Sequence, residues 1–257
     1  MRIKVCKKMT IKLPPEVKRK IFRAGLPRTP AEELQVVRRT VFLHLHPTRL
    51  SVDRMKISFT WCLGGLSFLL FLITVFTGAL LMIYYRPTLE NAYADILDLQ
   101  YTVFLGGFLR NVHRWTGHGI VITVVLHMLR VFYTGSYKPP REFNWIVGVC
   151  LLLIVLAFAF TGYLLPWDQI SYWGTRVGAN LLHSVPLLGS DGPFGSALRL
   201  RPDRDIAFFL LGDSDLGPRA LVRFYGLHVF ILPLLAVIFL MVHFWRVRKD
   251  GNLTTGL

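Results

Sequence analysis

RNVHRWTGHGIVITVVLHMLR, residues 110–130, is apolar over most of its length yet holds two ionisable histidines, His113 and His127, fourteen positions apart. An α-helix turns about 100° and rises about 1.5 Å per residue, so this interval returns to within about 40° of its start after about 21 Å. Both imidazoles therefore lie on one face at two depths. RFYGLHVFILPLLAVIFLMVHFW, residues 223–245, repeats the arrangement with His228 and His243, fifteen apart; these fall within about 60° of each other over about 22 Å. Four segments in all, Ile57–Tyr84, Arg110–Tyr133, Trp145–Leu165 and Phe224–Trp245, are apolar enough and long enough to cross a hydrocarbon layer of about 30 Å. Four crossings in series make the second and fourth segments run in the same direction. His113 is then level with His228, and His127 with His243.

Ionisable side chains inside membrane helices are costly and point to function. Imidazole is an axial ligand to haem iron, and a second axial histidine closes the iron to oxygen and suits it to electron transfer. Two facing pairs at two depths are what two bis-histidine haems require; the alternative is a set of buried histidines bonded across a bundle. The other two segments carry glycines at the same interval, Gly64 and Gly78, then Gly148 and Gly162. Glycine lets a flat macrocycle approach the backbone, although small residues also serve ordinary helix packing in membranes. Arg110 and Arg114 flank His113, and Arg130 follows His127 by three. All three suit propionate carboxylates; Arg130 also fits a simple surface anchor. His118 and His183 point elsewhere and stay outside the ligand set.

The composition agrees with an all-α integral membrane four-helix bundle. The chain has 257 residues, 53 % of them hydrophobic, with a mean hydropathy of +0.46, too apolar for a soluble domain of this size. Its net charge of +15 is unevenly placed: residues 1–56 hold fifteen Lys or Arg against four acids, whereas residues 168–223 hold six Arg against six Asp. That asymmetry follows the positive-inside rule, which puts both termini on the cytoplasmic side, or its equivalent, of a bacterial or other energy-transducing membrane, and excludes nucleic acid as a partner. Residues 1–56 read as a basic arm followed by an amphipathic surface helix on membrane lipid, from Pro30 to Pro47, with His44 and His46 as surface residues. Residues 57–257 form the bundle. No cleavable signal and no internal repeat are evident. Cys6, Cys62 and Cys150 make neither a disulfide framework nor a zinc spacing. The long connection after the third segment is expected to form short helices along the outer face.

Several stretches resemble the cytochrome b family of quinol:cytochrome c and plastoquinol:plastocyanin oxidoreductases, nearest to its short, split form: WCLGG (61–65), TGALLMIYYRPT (77–88), LHMLRVFYTGSYKPPREFNWIVG (126–148), TGYLLPWDQISYWG (161–174), RFYGLHVFILPLL (223–235) and HFWRVRKDG (243–251). The resemblance implies a low-potential outer haem at His113 and His228 and a high-potential inner haem at His127 and His243. It implies quinol oxidation beside the segment matching Tyr163 to Gly178, where Tyr163, Pro166, Trp173 and Gly174 fall, and quinone reduction on the inner side near Arg248. It also implies a Rieske iron-sulfur protein, a c-type cytochrome or equivalent acceptor, and a dimeric complex. The family's later helices, which carry the acid of the quinol oxidation site, would sit on a separate subunit. Asp168 is the nearest acid in this chain, and its place in WDQ reads as a helix cap. The loop from Ser190 to Val222 is longer than in the short family form. Lastly, the CLGG string resembles the place where short forms bind an extra c-type haem by one thioether, which makes Cys62 a covalent attachment candidate; otherwise its thiol is a small packing group. A dihaem anchor serving a peripheral dehydrogenase is the runner-up, against which TGYLLPWD argues, and a non-redox bundle is the third reading.

Overall fold

The computed structural model describes residues 29–30 and 61–250. The chain divides into two compact units, Met1–Arg49 and Leu50–Leu257, and the helices bounded among the described residues all lie in the second. Cys6, the expected amphipathic helix with His44 and His46, and the first residues of the segment expected from Ile57 lie outside the described residues.

The described part is helical, without strands. In order it comprises α1 (Leu63–Leu81), α2 (Ala92–Tyr101), α3 (Gly106–Tyr133), α4 (Glu142–Leu164), α5 (Gln169–Leu182), α6 (Ile206–Leu211), α7 (Pro218–Gly226), a π turn (Leu227–Ile231) and α8 (Leu232–Lys249). α1, α3, α4 and the continuous run Pro218–Lys249 are long and apolar enough to cross a membrane. Their surfaces carry exposed large hydrophobic residues all round, Leu69, Leu129, Leu153 and Val237 among them, as helices bathed in lipid must. Threonines within them direct their hydroxyls to carbonyls one turn back, Thr74 to Leu70 and Thr161 to Ala157, which satisfies these hydroxyls within their own helix.

The sequence reading bounds the segments loosely and misses two features. α2, in the connection after α1, is one. The other is the π turn at Leu227–Ile231, which joins α7 to α8. Pro233 accounts for its position: proline lacks a helical N–H and its ring crowds the carbonyl four residues earlier, that of Val229, so the chain widens by one residue there.

The ends of α1 and α4 are tied together by side chains. Tyr85 donates its hydroxyl to the Leu165 carbonyl at 2.6 Å and stacks on Tyr225. Arg86 grips the buried carboxylate of Asp95 with two side-chain N–H groups and its backbone N–H. That hydrogen-bonded guanidinium holds the Asp95 carboxyl below the usual carboxylate range. Beside this tie, Leu164, Ala179, Leu211, Leu216, Ala220 and Phe224 form a buried apolar cluster where α4, α5, α6 and α7 meet. As expected, short helices follow α4: Asp168 caps α5 by accepting the Ser171 N–H at 2.7 Å, and Asp205 caps α6.

Candidate functional site

The four histidines meet in the pairs that the spacing predicts. His113 on α3 faces His228 in the π turn with ring centroids 6.3 Å apart, and His127 on α3 faces His243 on α8 at 6.4 Å. The fifteen-residue interval on the last span matches the fourteen-residue interval on α3 because a π turn absorbs one extra residue. Two ring nitrogens each about 2 Å from a shared metal ion place their ring centroids roughly 6 Å apart, so both separations suit one ion held between two imidazoles. Among the described residues no group of three or more His, Cys, Asp or Glu could hold a metal. Two imidazoles on opposite sides leave the remaining coordination positions of such an ion to groups other than these side chains, an arrangement that suits a porphyrin.

Each histidine lies against one of the four glycines. A Cβ on Gly64 would sit 3.2 Å from Cε1 of His127, and one on Gly78 3.0 Å from Cε1 of His113. On α4 a Cβ on Gly162 would come within 2.6 Å of Cε1 of His228, and one on Gly148 within 4.0 Å of Cε1 of His243. The glycines thus make room for the imidazole rings themselves, which turn past them toward the bundle axis.

A cavity of about 450 Å³ opens beside His127 and His243. Its walls are apolar and include Gly64 and Gly148, while Arg130, Arg141, Asn144 and Arg246 gather at its polar end. Arg130 was foreseen there; the other three were not. Arg141 is the N-cap residue of α4 and Asn144 lies in its first turn, where the proline-rich lead-in SYKPPR gives no periodic signal, and Arg246 stands two residues before Arg248, the arginine that the resemblance singles out. Arg246 pairs with Asp250 at 2.9 Å. Arg248 is half-buried but does not line this cavity. Cys62 stands at the cavity mouth as the N-terminal cap residue of α1, exposed and in a left-handed backbone conformation with φ 48°.

At the His113 end, Arg110 donates to Gln100 at 3.1 Å and Arg114 is exposed. Tyr163 packs over Gly174, where a Cβ would lie 2.8 Å from its ring. Trp173 is exposed and donates its indole N–H to Gln169, and Pro166 is half-buried in the turn before α5. His118 is exposed, edge-on to Trp115. His183 is bonded to the buried carboxylate of Asp205, which also accepts N–H bonds from Phe208 and Ser190. Burial pushes the Asp205 carboxyl up, but these hydrogen bonds outweigh it and the net shift is downward.

Known proteins are similar to this chain in sequence and in fold. The family model described as Cytochrome b/b6/petB matches residues 51–251. A cytochrome b6 from Tupiella akineta is 39 % identical over 191 residues, covering 74 % of this chain and 82 % of that protein. A solved structure described as a hyperthermophilic respiratory Complex III aligns with a TM-score of 0.69 at 26 % identity, over 87 % of this chain. The chain spans 54 % of the length of that structure's chain.

Proposed function

The chain belongs to the cytochrome b/b6 family, which makes it an integral membrane, haem-bearing electron-transfer protein, and from that premise we propose how it works. His113 with His228 and His127 with His243 hold two b-type haems, one above the other. The single observation that carries this reading is the pair of matched ring separations, 6.3 and 6.4 Å, at two depths of one bundle. Haem held between these histidines would supply one-electron exchange, and a second histidine ligand would close its iron to oxygen. The residues of the chain fix the rings, exclude water with apolar helix faces and bring Arg130, Arg141 and Arg246 to the end of the cavity where carboxylates need cations.

The charge asymmetry supports a topology with both termini and the α3–α4 turn on the cytoplasmic side. In that orientation His113 and His228 form the outer level, and electrons from quinol oxidised near Tyr163, Pro166, Trp173 and Gly174 pass inward to a quinone near Arg248. The family's later helices, a Rieske protein and a c-type or equivalent acceptor complete a dimeric quinol oxidoreductase. Cys62 carries a third haem through one thioether, supported by its exposure at the mouth of the cavity beside His127 and His243.

Reduced-minus-oxidised spectroscopy of the purified complex tests the first part: two b-type haems per chain are expected, and a chain without a b-type band would overturn the reading. Haem staining after denaturing electrophoresis tests Cys62. A stained band that disappears in Cys62→Ser is expected, and an unstained wild-type chain would leave Cys62 a packing residue.

A further inference from the structure

The two histidine levels differ in what their rings donate to. Phe76-Thr77-Gly78-Ala79-Leu80-Leu81 on α1 and Phe160-Thr161-Gly162-Tyr163-Leu164-Leu165 at the end of α4 and its cap share five of six residues, an internal repeat that the sequence reading missed. Its threonines are buried. The Thr77 hydroxyl donates to the Ile73 carbonyl at 2.8 Å, and its oxygen accepts from Nδ1 of His113 at 3.0 Å. The Thr74 carbonyl lies 3.1 Å from the same nitrogen. A carbonyl only accepts, so Nδ1 carries the proton and Nε2 keeps its lone pair for a metal. On α4 the Thr161 hydroxyl donates to Ala157 at 2.8 Å and accepts from Nδ1 of His228 at 3.1 Å.

At the other level the residues before the facing glycines are Leu63 and Val147. Neither side chain offers an oxygen, and Nδ1 of His243 is buried with no hydrogen-bond partner among the described residues. The chain therefore treats two chemically identical ligand pairs unequally.

We propose that Thr77 and Thr161 are positioning residues that lower the reduction potential of the haem held by His113 and His228 relative to the haem held by His127 and His243. A hydrogen bond accepted from Nδ1–H draws the proton toward oxygen and makes Nε2 a stronger donor, and a stronger axial donor favours ferric over ferrous iron. The Nδ1 proton stays on the ring through the one-electron couple, so only the strength of the bond changes. The inference rests on the four-histidine reading above: a complex lacking two b-type haems fails that reading, whereas two normal haems with unmoved potentials fail only this one.

The test is a redox titration of the purified complex, followed optically and by electron paramagnetic resonance. In Thr77→Val with Thr161→Val, the ferrous-to-ferric ratio of the His113-level haem at fixed ambient potential should rise about tenfold, which for one electron is a shift of about 59 mV. The other haem should stay in place, and Thr77→Ser with Thr161→Ser should restore the wild-type value. Because the valine variants can lose the haem outright, Leu63→Thr with Val147→Thr provides the reverse arm and should lower the potential at the His127 level. Unmoved potentials in both arms, an equal shift of both haems, or failure of serine to restore the value would overturn the proposal. If the valine variants lose the haem, an unmoved His127-level potential in the threonine variants overturns it alone.

Discussion

At the scale of single residues, the four glycines are not equivalent, and their contacts rank them. Gly162 is the tightest, 2.6 Å from a ring atom that cannot swing aside without leaving its pair, while Gly148 has only ordinary contacts at 3.5 Å to Met128 and 4.0 Å to His243. Overpacking of this kind costs about 1–3 kcal/mol and is relieved by moving the neighbour. Gly162→Ala is therefore expected to displace His228 and deplete its haem, Gly64→Ala and Gly78→Ala to do so partly, and Gly148→Ala to be nearly silent. Haem content per chain across the four variants measures the order, and a Gly148 variant worse than the Gly162 variant would refute it. These positions were legible in the sequence because four glycines repeat the histidine interval. Their use was less so: spacing placed them beside a macrocycle, whereas the structure sets them against the imidazoles.

At the scale of elements, the fifteen-residue interval between His228 and His243 is regular only because of the π turn at Leu227–Ile231. Deleting Val229 should return that stretch to an α-helix with both histidines still on one face, and both b-type bands should survive in the difference spectrum. Loss of both haems would mean that the turn does more than absorb a residue. This feature was hidden from periodicity because one extra residue shifts the phase by only about 100°, which for two widely spaced histidines still reads as one face. The short helix α2 was hidden for a different reason: its sequence, AYADILDLQY, is polar enough to pass for a loop, and its anchoring by Asp95 to Arg86 in the turn after α1 is a contact that helical periodicity does not announce. Asp168 is the opposite case. A cap was expected from WDQ, and the carboxylate does accept the Ser171 N–H, so Asp168→Ala should destabilise α5 by about 1 kcal/mol in a chemical-denaturation series on the complex.

At the scale of the whole molecule, the bundle is held by lipid-facing apolar helices along its length and by carboxylates at the end near His113. Asp95 and Asp205 both have folded-state affinities for protons below that of an ordinary carboxylate. Each therefore contributes stability that is complete above about pH 4 and is lost as the pH falls through the lowered folded value. Thermal denaturation of the detergent-solubilised complex should show this acid-side loss, and Asp95→Asn with Asp205→Asn should weaken the protein at neutral pH while flattening the dependence. A double variant with an unchanged acid profile would assign the loss to other groups. The four membrane crossings and the histidine pairs could be read from the sequence because hydropathy and helical phase are properties of one segment at a time. The polar groups lining the cavity could not, since Arg141 and Asn144 reach it from the start of α4 and Arg246 from the end of α8. The central claim is that histidines far apart in sequence share one haem in the order His113 with His228 and His127 with His243. Haem-resolved redox spectra of the four single His→Ala variants test it most directly. His113→Ala and His228→Ala should remove the same haem, and His127→Ala and His243→Ala the other, whereas loss of one haem by both His113→Ala and His127→Ala would contradict the arrangement.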